Sequence, residues 1–289
     1  MTTTHILETA EADIAYDVHG PLPTADGRRP LFMIGQPMTA SGFSTLASHF
    51  PDRTVITYDP RGLGRSRRKD GRVNNTPTLQ AQDVHDLIQA LGAGPVDMFA
   101  SSGGAVTALA LVATYPDDVV ALVAHEPPML PVLPDAEAAE RAFAAVRDAY
   151  DAKGRGAGMA AFMAMTSWRG EFTDAYLAQP APDPAQFGMP AEDDGSRDDP
   201  LLSDRSAAVP SYRPDIDALL AAPTRIVVAV GEESIGTITG RTSAALAELL
   251  GQEATVFPSH HGGFLGPESG YPGRPEAFAQ KLRSVLGDE

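Results

Sequence analysis

Over the first 125 residues, short β-rich runs alternate with segments of helical periodicity, and this alternation constrains the fold more than any other feature of the chain. Asp13–Val18 alternates apolar and polar side chains as a half-buried strand does. Leu31–Ile34 and Thr54–Tyr58 are short β-rich runs closed by turns containing Gly or Pro. Thr78–Leu91 carries Leu79, Val84, Leu87, Ile88 and Leu91 at helical spacing, and Gly92 ends it. Val96–Ala100 then reads as a strand, Ala105–Tyr115 as a helix stopped by Pro116, and Val119–Ala124 as a strand. Strands alternating with helices argue for a parallel sheet with right-handed crossovers.

The alternation stops at Pro127-Pro128. Residues from about 129 to 220 offer helical segments, Ala136–Tyr150 and Gly158–Trp168, but no convincing strand. Gln179–Asp199 is dense in Pro, Asp and Ala and reads as a mobile loop. Strand logic resumes at Arg225–Val230, followed by a helix over Arg241–Leu250, a strand at Ala254–Phe257 and a helix over Glu276–Leu286. Neither flank holds a complete sheet. The expectation is therefore one core domain built from residues 1–128 and 221–289, interrupted by a helical cap at 129–220. There is no internal repeat.

Composition narrows the function classes. Hydrophobic residues make up 43 % of the 289, too many for a disordered chain. Lys and Arg total 22 against 38 Asp and Glu, a net charge of −16, which repels phosphate backbones and anionic lipid. A small-molecule substrate is expected, with no nucleic-acid or membrane partner; a homo-oligomer is not indicated. Without cysteine there is no disulfide, thiolate nucleophile or cysteine metal site. The longest apolar runs, such as Val119–Ala124 and Ile226–Val230, are strand-sized and too short to span a bilayer. Met1-Thr-Thr-Thr-His5 has neither a basic nor an apolar signal region, so a cytoplasmic location is expected.

The chemistry concentrates at Val96–Val106, a strand, a turn of small residues and a helix. Framed as small-x-nucleophile-x-small, the turn is Ala100-Ser101-Ser102-Gly103-Gly104, with Ser102 at its apex. A nucleophile elbow needs small neighbours because the serine sits in a strained turn between strand and helix. Framing Ser101 as the nucleophile would put Phe99 in the first small position. The competing reading is a phosphate-binding turn or a plain connection. Three other segments, in order, favour the elbow. Leu31–Met38 is a strand running into a Gly turn, from which the backbone N–H of Gln36 can face a developing oxyanion together with that of Gly103. Tyr58–Ser66 holds Gly62-Leu-Gly64, which lacks the third glycine and the following helix of a dinucleotide fingerprint. Asp59 and Arg61 there are expected to stabilise the turn. Phe257–Phe264 places two histidines just after the last strand, where a general base for Ser102 belongs.

With these segments the chain resembles the α/β-hydrolase superfamily over nearly its whole length, and most closely its cofactor-free esterase, lipase and haloperoxidase-like branch. The resemblance implies an α/β fold: an eight-stranded, mostly parallel sheet with helices on both faces and a helical cap inserted after the sixth strand. It also implies a Ser…acid…His triad and no metal or organic cofactor. His261, directly before Gly262-Gly263, matches the family's late His-Gly segment, leaving His260 as a neighbour. His5, His19, His49, His85 and His125 show no metal spacing and are expected at surface or structural positions. The family's commonest acid site is Gly-x-x-Asp after the seventh strand; here it reads Gly231-Glu-Glu-Ser234, and a serine cannot stabilise an imidazolium. The acid is then Glu126, at the end of the sixth strand, or alternatively Glu233 or Glu232. Glu126 is preferred because a strand end fixes a carboxylate better than a loop.

Met38, Phe43, Met163 and Trp168 are expected to line the substrate pocket, favouring an apolar or aromatic acyl or alcohol group over a sugar or polyanion. The activity expected is that of a serine esterase acting through an acyl-enzyme on Ser102. An epoxide hydrolase or haloalkane dehalogenase would carry Asp at the elbow. Two rival readings stay open. One is a triad enzyme that does not simply hydrolyse: a perhydrolase, a carbon–carbon bond hydrolase, or a biosynthetic lyase or cyclase. The other is a ligand-binding protein that kept the fold without turnover.

Overall fold

The computed structural model describes residues 2–287. Its sheet has eight strands along one path: β1 (Thr2–Glu8), β2 (Ala12–His19), β3 (Leu31–Gln36), β4 (Val55–Tyr58), β5 (Val96–Ser102), β6 (Val119–His125), β7 (Arg225–Gly231) and β8 (Thr255–Phe257). Their spatial order is β1-β2-β4-β3-β5-β6-β7-β8, and a two-residue ninth piece, Arg67–Arg68, pairs with the start of β2. β1 and β2 pair antiparallel, as do β2 and β4, and every pairing from β4 onward is parallel. This is the mostly parallel α/β sheet that the sequence implies.

Parallel strands buried on both faces are near-continuously apolar, and β3 is an example, with all six residues buried. Side chains alternate between two helical layers. Phe32 and Ile34 point into one core with α2 (Pro77–Leu91), α3 (Gly103–Thr114) and α7 (Ile238–Leu249), while Leu31 and Met33 point into another with α1 (Ser44–Ser48) and α8 (Pro275–Leu286). α3 is hydrophobic all round and buried along nearly its whole length, as expected of a helix covered on every side. α2 begins at a Thr76 N-cap with Pro77 behind it and stops at Gly92, which adopts a left-handed conformation.

Between β6 and β7 the described residues form no strand. The main element there is α4 (Ala136–Ser167), broken at Gly154, whose φ of 80° and ψ of −170° separate the two helical segments expected there. The short helices α5 (Asp174–Leu177) and α6 (Ile216–Ala221) follow it. A third apolar cluster, including Leu133, Val146, Tyr150, Met165, Phe172 and Leu202, holds this region together. A cap boundary at residue 220 cuts through α6, whose Leu219 packs with Val209 into the core on α3. The polar stretch 179–199 is mostly exposed but tied down. Arg197 pairs with Asp193 and lies over the Tyr150 ring, and Arg155 pairs with Asp199.

β1 is the strand that the hydrophobic pattern does not announce. Six of its seven residues are exposed, so it has no apolar face, and it is held as an edge by its antiparallel ladder to β2.

Candidate active site

Parallel pairing brings the carboxyl ends of β3, β5, β6 and β7 into one line, the usual place for a site in an open α/β sheet. In register, Gln36 lies opposite Ser102, and Ser101 opposite His125. Ser102 ends β5 with φ 56° and ψ −128°, a conformation costing a non-glycine residue about 1–3 kcal/mol. It is the N-cap of α3, yet its side chain makes no capping hydrogen bond. The hydroxyl therefore stays free at the positive end of the helix dipole. The elbow closes tightly: a Cβ on Gly104 would lie 2.5 Å from the Gly35 Cα, and one on Gly103 would lie 2.9 Å from the Gln36 carbonyl oxygen. Bulk at either position would push the turn after β3 away from the serine.

Glu126, one residue beyond β6, takes a second left-handed conformation, with φ 50°. Its carboxylate is fully buried and receives three donors. His261 Nδ1–H donates to Oε2 at 2.6 Å, the Thr239 hydroxyl donates to Oε2 at 2.6 Å, and the Gly231 backbone N–H donates to Oε1 at 2.9 Å. Burial alone would raise the Glu126 pKa. The His261 charge and hydrogen bond, with help from His125 and Thr239, outweigh it and hold the carboxyl well below the usual range. For His261 burial pushes downward, but the Glu126 charge and hydrogen bond win, so its pKa lies above the ordinary 6.5. The His261 side chain keeps 44 % of its surface exposed.

The other two glutamates lie elsewhere. Glu232 accepts from the Ser259 N–H at 3.2 Å and pairs with Arg274. Glu233 lines the cavity without a hydrogen bond to His261, its own N–H donating to the Ser259 carbonyl. Ser234 is buried and its carbonyl caps the following turn.

Ser102, Gly103, Gln36 and His261 all face one cavity of about 520 Å³. Its walls come from α4 and the segments flanking it, with Leu130, Phe143, Phe162, Met165, Leu201 and Val209 supplying apolar surface. Thr239 and Ile238 close it from α7, and Arg169, His260 and Tyr271 are also in the wall. Of the four side chains expected in the pocket, Met163 lines it. The other three do not. Phe43 is fully buried and stacks on Phe264, and Met38 packs over Gly42 against the same core. Trp168 turns toward Tyr176 beside the third apolar cluster, its indole N–H donating to the Glu171 carbonyl.

The loop residues expected to be structural are so engaged. Asp59 accepts from the Ala40 and Arg65 backbone N–H groups and so shapes the turn after β3, and Arg61 forms a buried two-point pair with Asp83. Among the described residues no group of three or more His, Asp or Glu side chains is placed to hold a metal ion, and no helix is long and apolar enough to cross a membrane.

The comparisons with known proteins agree with this architecture. Residues 33–200 match the family model described as the alpha/beta hydrolase fold, and the chain belongs to that family. It is 26 % identical over 288 residues to the hydrolase YraK of Bacillus subtilis (strain 168), described as uncharacterised, covering 98 % of this chain and 96 % of the relative. Among solved structures it is similar to a hydrolase from Pseudomonas aeruginosa, with a TM-score of 0.63, 21 % identity and 98 % of each chain covered. A thermophilic esterase from Thermogutta terrifontis gives a TM-score of 0.62 at 21 % identity, covering 98 % of this chain and 99 % of the other. At these identities the structural likenesses speak for the fold alone.

Proposed function

We propose that this hydrolase-family protein is a serine esterase whose acyl-enzyme forms on Ser102, with His261 as general base and Glu126 as the acid that orients it. One observation carries the reading: a serine in a strained strand-to-helix turn shares an apolar cavity with a histidine hydrogen-bonded to a buried carboxylate. In this reading the Ser102 Oγ attacks the ester carbonyl while its proton passes to the His261 Nε2. Glu126, bonded to Nδ1–H, stabilises the imidazolium that results. The N–H groups of Gln36 and Gly103 receive the carbonyl oxygen as it becomes an oxyanion. The imidazolium then protonates the leaving alcohol. Water, deprotonated by the same histidine, releases the acid and restores Ser102.

The segment 129–220 serves as the cap, and its apolar wall supports a small, largely apolar acyl or alcohol group as substrate. The test is labelling with a fluorophosphonate followed by peptide mapping, alongside hydrolysis of p-nitrophenyl esters of increasing chain length. Adduct on Ser102 and turnover of the esters are expected. Adduct without ester turnover would point to the non-hydrolytic alternatives, and no adduct at all would favour a ligand-binding protein.

A further inference from the structure

The residues immediately before Ser102 and Glu126, two of the three described non-glycine residues with positive φ, are joined to each other. Ser101 and His125 face each other across β5 and β6, and the Ser101 Oγ lies 3.2 Å from the His125 Nδ1. One step further along each strand stand Ser102 and Glu126, with φ of 56° and 50°. Strained residues persist only where their surroundings over-determine them, and one buried hydrogen bond here braces both. His125 is fully buried in an aromatic cage, with the Phe278 ring centroid 5.3 Å away and Phe99, Phe257 and Phe264 between 6.0 and 6.2 Å. Its Nε2 has no hydrogen-bond partner among the described residues but lies 3.7 Å from the Glu126 Oε1.

Proton placement follows from these contacts. A hydroxyl can donate to a bare Nδ1, and a neutral imidazole then carries its proton on Nε2. That N–H faces the carboxylate edge opposite the one held by His261. The reverse tautomer would aim a lone pair at a buried anion. Among the described residues, the titratable groups that face His125 are Glu126 and, ring to ring at 6.1 Å, His261. Burial and the neighbouring His261 lower the His125 pKa, against the pull of Glu126, to about 4. His125 is thus neutral wherever His261 can act as a base.

We propose that His125 is a positioning residue of this site. Through Ser101 it ties the nucleophile elbow to the acid elbow, and it presents a fixed Nε2–H to the Oε1 edge of Glu126, the oxygen that also accepts from the Gly231 N–H. The proposal rests on the triad assignment made above, but its first test does not.

Long-range ¹H–¹⁵N spectra of the imidazoles should show His125 protonated on Nε2 and bare on Nδ1, unchanged from pH 5.5 to 9. Titration in that range, or a proton on Nδ1, overturns the proposal whatever the activity. His125→Phe keeps an aromatic ring in the cage and removes both nitrogens. It should lower kcat between about 10- and 100-fold with KM nearly unchanged, the scale of a misplaced catalytic group. It should also move the acid limb of kcat/KM upward, because the carboxylate loses an N–H dipole and acts on His261 undiminished. Wild-type kcat with an unmoved limb refutes the proposal. If the variant does not fold, Ser101→Ala decides: a mixed His125 tautomer, a several-fold lower kcat and the same upward drift are expected. A wild-type spectrum and rate in Ser101→Ala refute it. Turnover surviving Ser102→Ala would instead overturn the triad assignment and leave the spectra standing.

Discussion

Replacing Glu126 by Gln tests the acid assignment most sharply, because the three donors around it leave an amide no comfortable orientation. Oε2 accepts from both His261 Nδ1–H and the Thr239 hydroxyl, and Oε1 accepts from the Gly231 N–H. With the amide oxygen at the Oε2 position, its NH₂ meets the Gly231 N–H. With the oxygen at Oε1, the NH₂ meets Nδ1 and forces the histidine proton onto Nε2, where it blocks acceptance of the Ser102 proton. The second arrangement matches an Asp→Asn change in a serine-protease triad, which costs ~10⁴-fold in kcat. We expect a loss of that order, about 5 kcal/mol of transition-state stabilisation. The fold should survive, since one mismatched buried donor costs about 1–3 kcal/mol.

The pH profile gives an independent reading of the same substitution. In the wild type, Glu126 raises His261 above 6.5 against the effect of burial, so kcat/KM should climb through a pKa above 6.5 and then level off. Without the carboxylate, burial alone remains, and the acid limb should move down to 6.5 or below. The assay is p-nitrophenyl ester hydrolysis between pH 5 and 9, with thermal unfolding as the control for folding. Glu126→Gln within tenfold of wild type, with its limb unmoved, would refute the assignment. Loss of activity in Glu233→Gln or Glu232→Gln instead would transfer the role. All three near wild type would leave the site without an acid.

Ser102→Ala should abolish ester turnover by several orders of magnitude and eliminate fluorophosphonate labelling. Ser101→Ala should lose only several-fold, and the opposite ranking would mean that the elbow frame is wrong. Gly104→Ala should destabilise the protein by at least about 1–3 kcal/mol in urea unfolding, because its Cβ would press on the Gly35 and Ile34 backbone at 2.5–2.7 Å; an unchanged midpoint would mean that the elbow can open. Phe162→Ala removes part of the cavity's apolar wall, and KM for longer acyl chains should rise about tenfold with kcat little changed, as loss of uniform binding requires. A fall in kcat at constant KM would count against that wall as the acyl site.

The parts of this molecule legible in its sequence are those that repeat a local rule. Buried strands advertise themselves as apolar runs, helices by spacing and caps, and the elbow by its small residues, so β3, α2, β5 and α3 can be placed from residue pattern alone. β1 cannot, because an exposed edge strand has no apolar face and exists only as a partner for β2. The pocket escapes for a related reason. Residue type says that Phe43, Met38 and Trp168 will be covered, but not whether by core or by cavity, and the stacking of Phe43 on Phe264 decides that through a residue 221 positions away. Thr239 carries no signal at all. A threonine in the first turn of a helix is ordinary until β7 and α7 carry its hydroxyl to a carboxylate 113 residues earlier.

The buried Glu126 carboxylate shows how several ordinary-looking positions are coupled. At the acid position expected from the resemblance stands Ser234, whose hydroxyl carries no charge to stabilise an imidazolium. The carboxylate that meets the histidine stands instead after β6, on Glu126. Gly231 leaves it room: a Cβ there would lie 3.0 Å from the Glu126 Oε1 and 2.6 Å from the Ser259 carbonyl oxygen. The buried charge then needs donors on both oxygens, supplied by the Gly231 N–H on one and Thr239 beside His261 on the other. A carboxylate restored at position 234 alone, as in Ser234→Asp, would therefore not simply rescue Glu126→Gln. The amide would still occupy the contact with His261 Nδ1, and only truncation of the side chain, as in Glu126→Ala, would free the histidine to turn toward the new acid. Adding Ser234→Asp to Glu126→Gln and, separately, to Glu126→Ala distinguishes these cases. Recovery of kcat is expected with Glu126→Ala and not with Glu126→Gln, and equal recovery in both would mean that the donors around Glu126 do not fix the histidine.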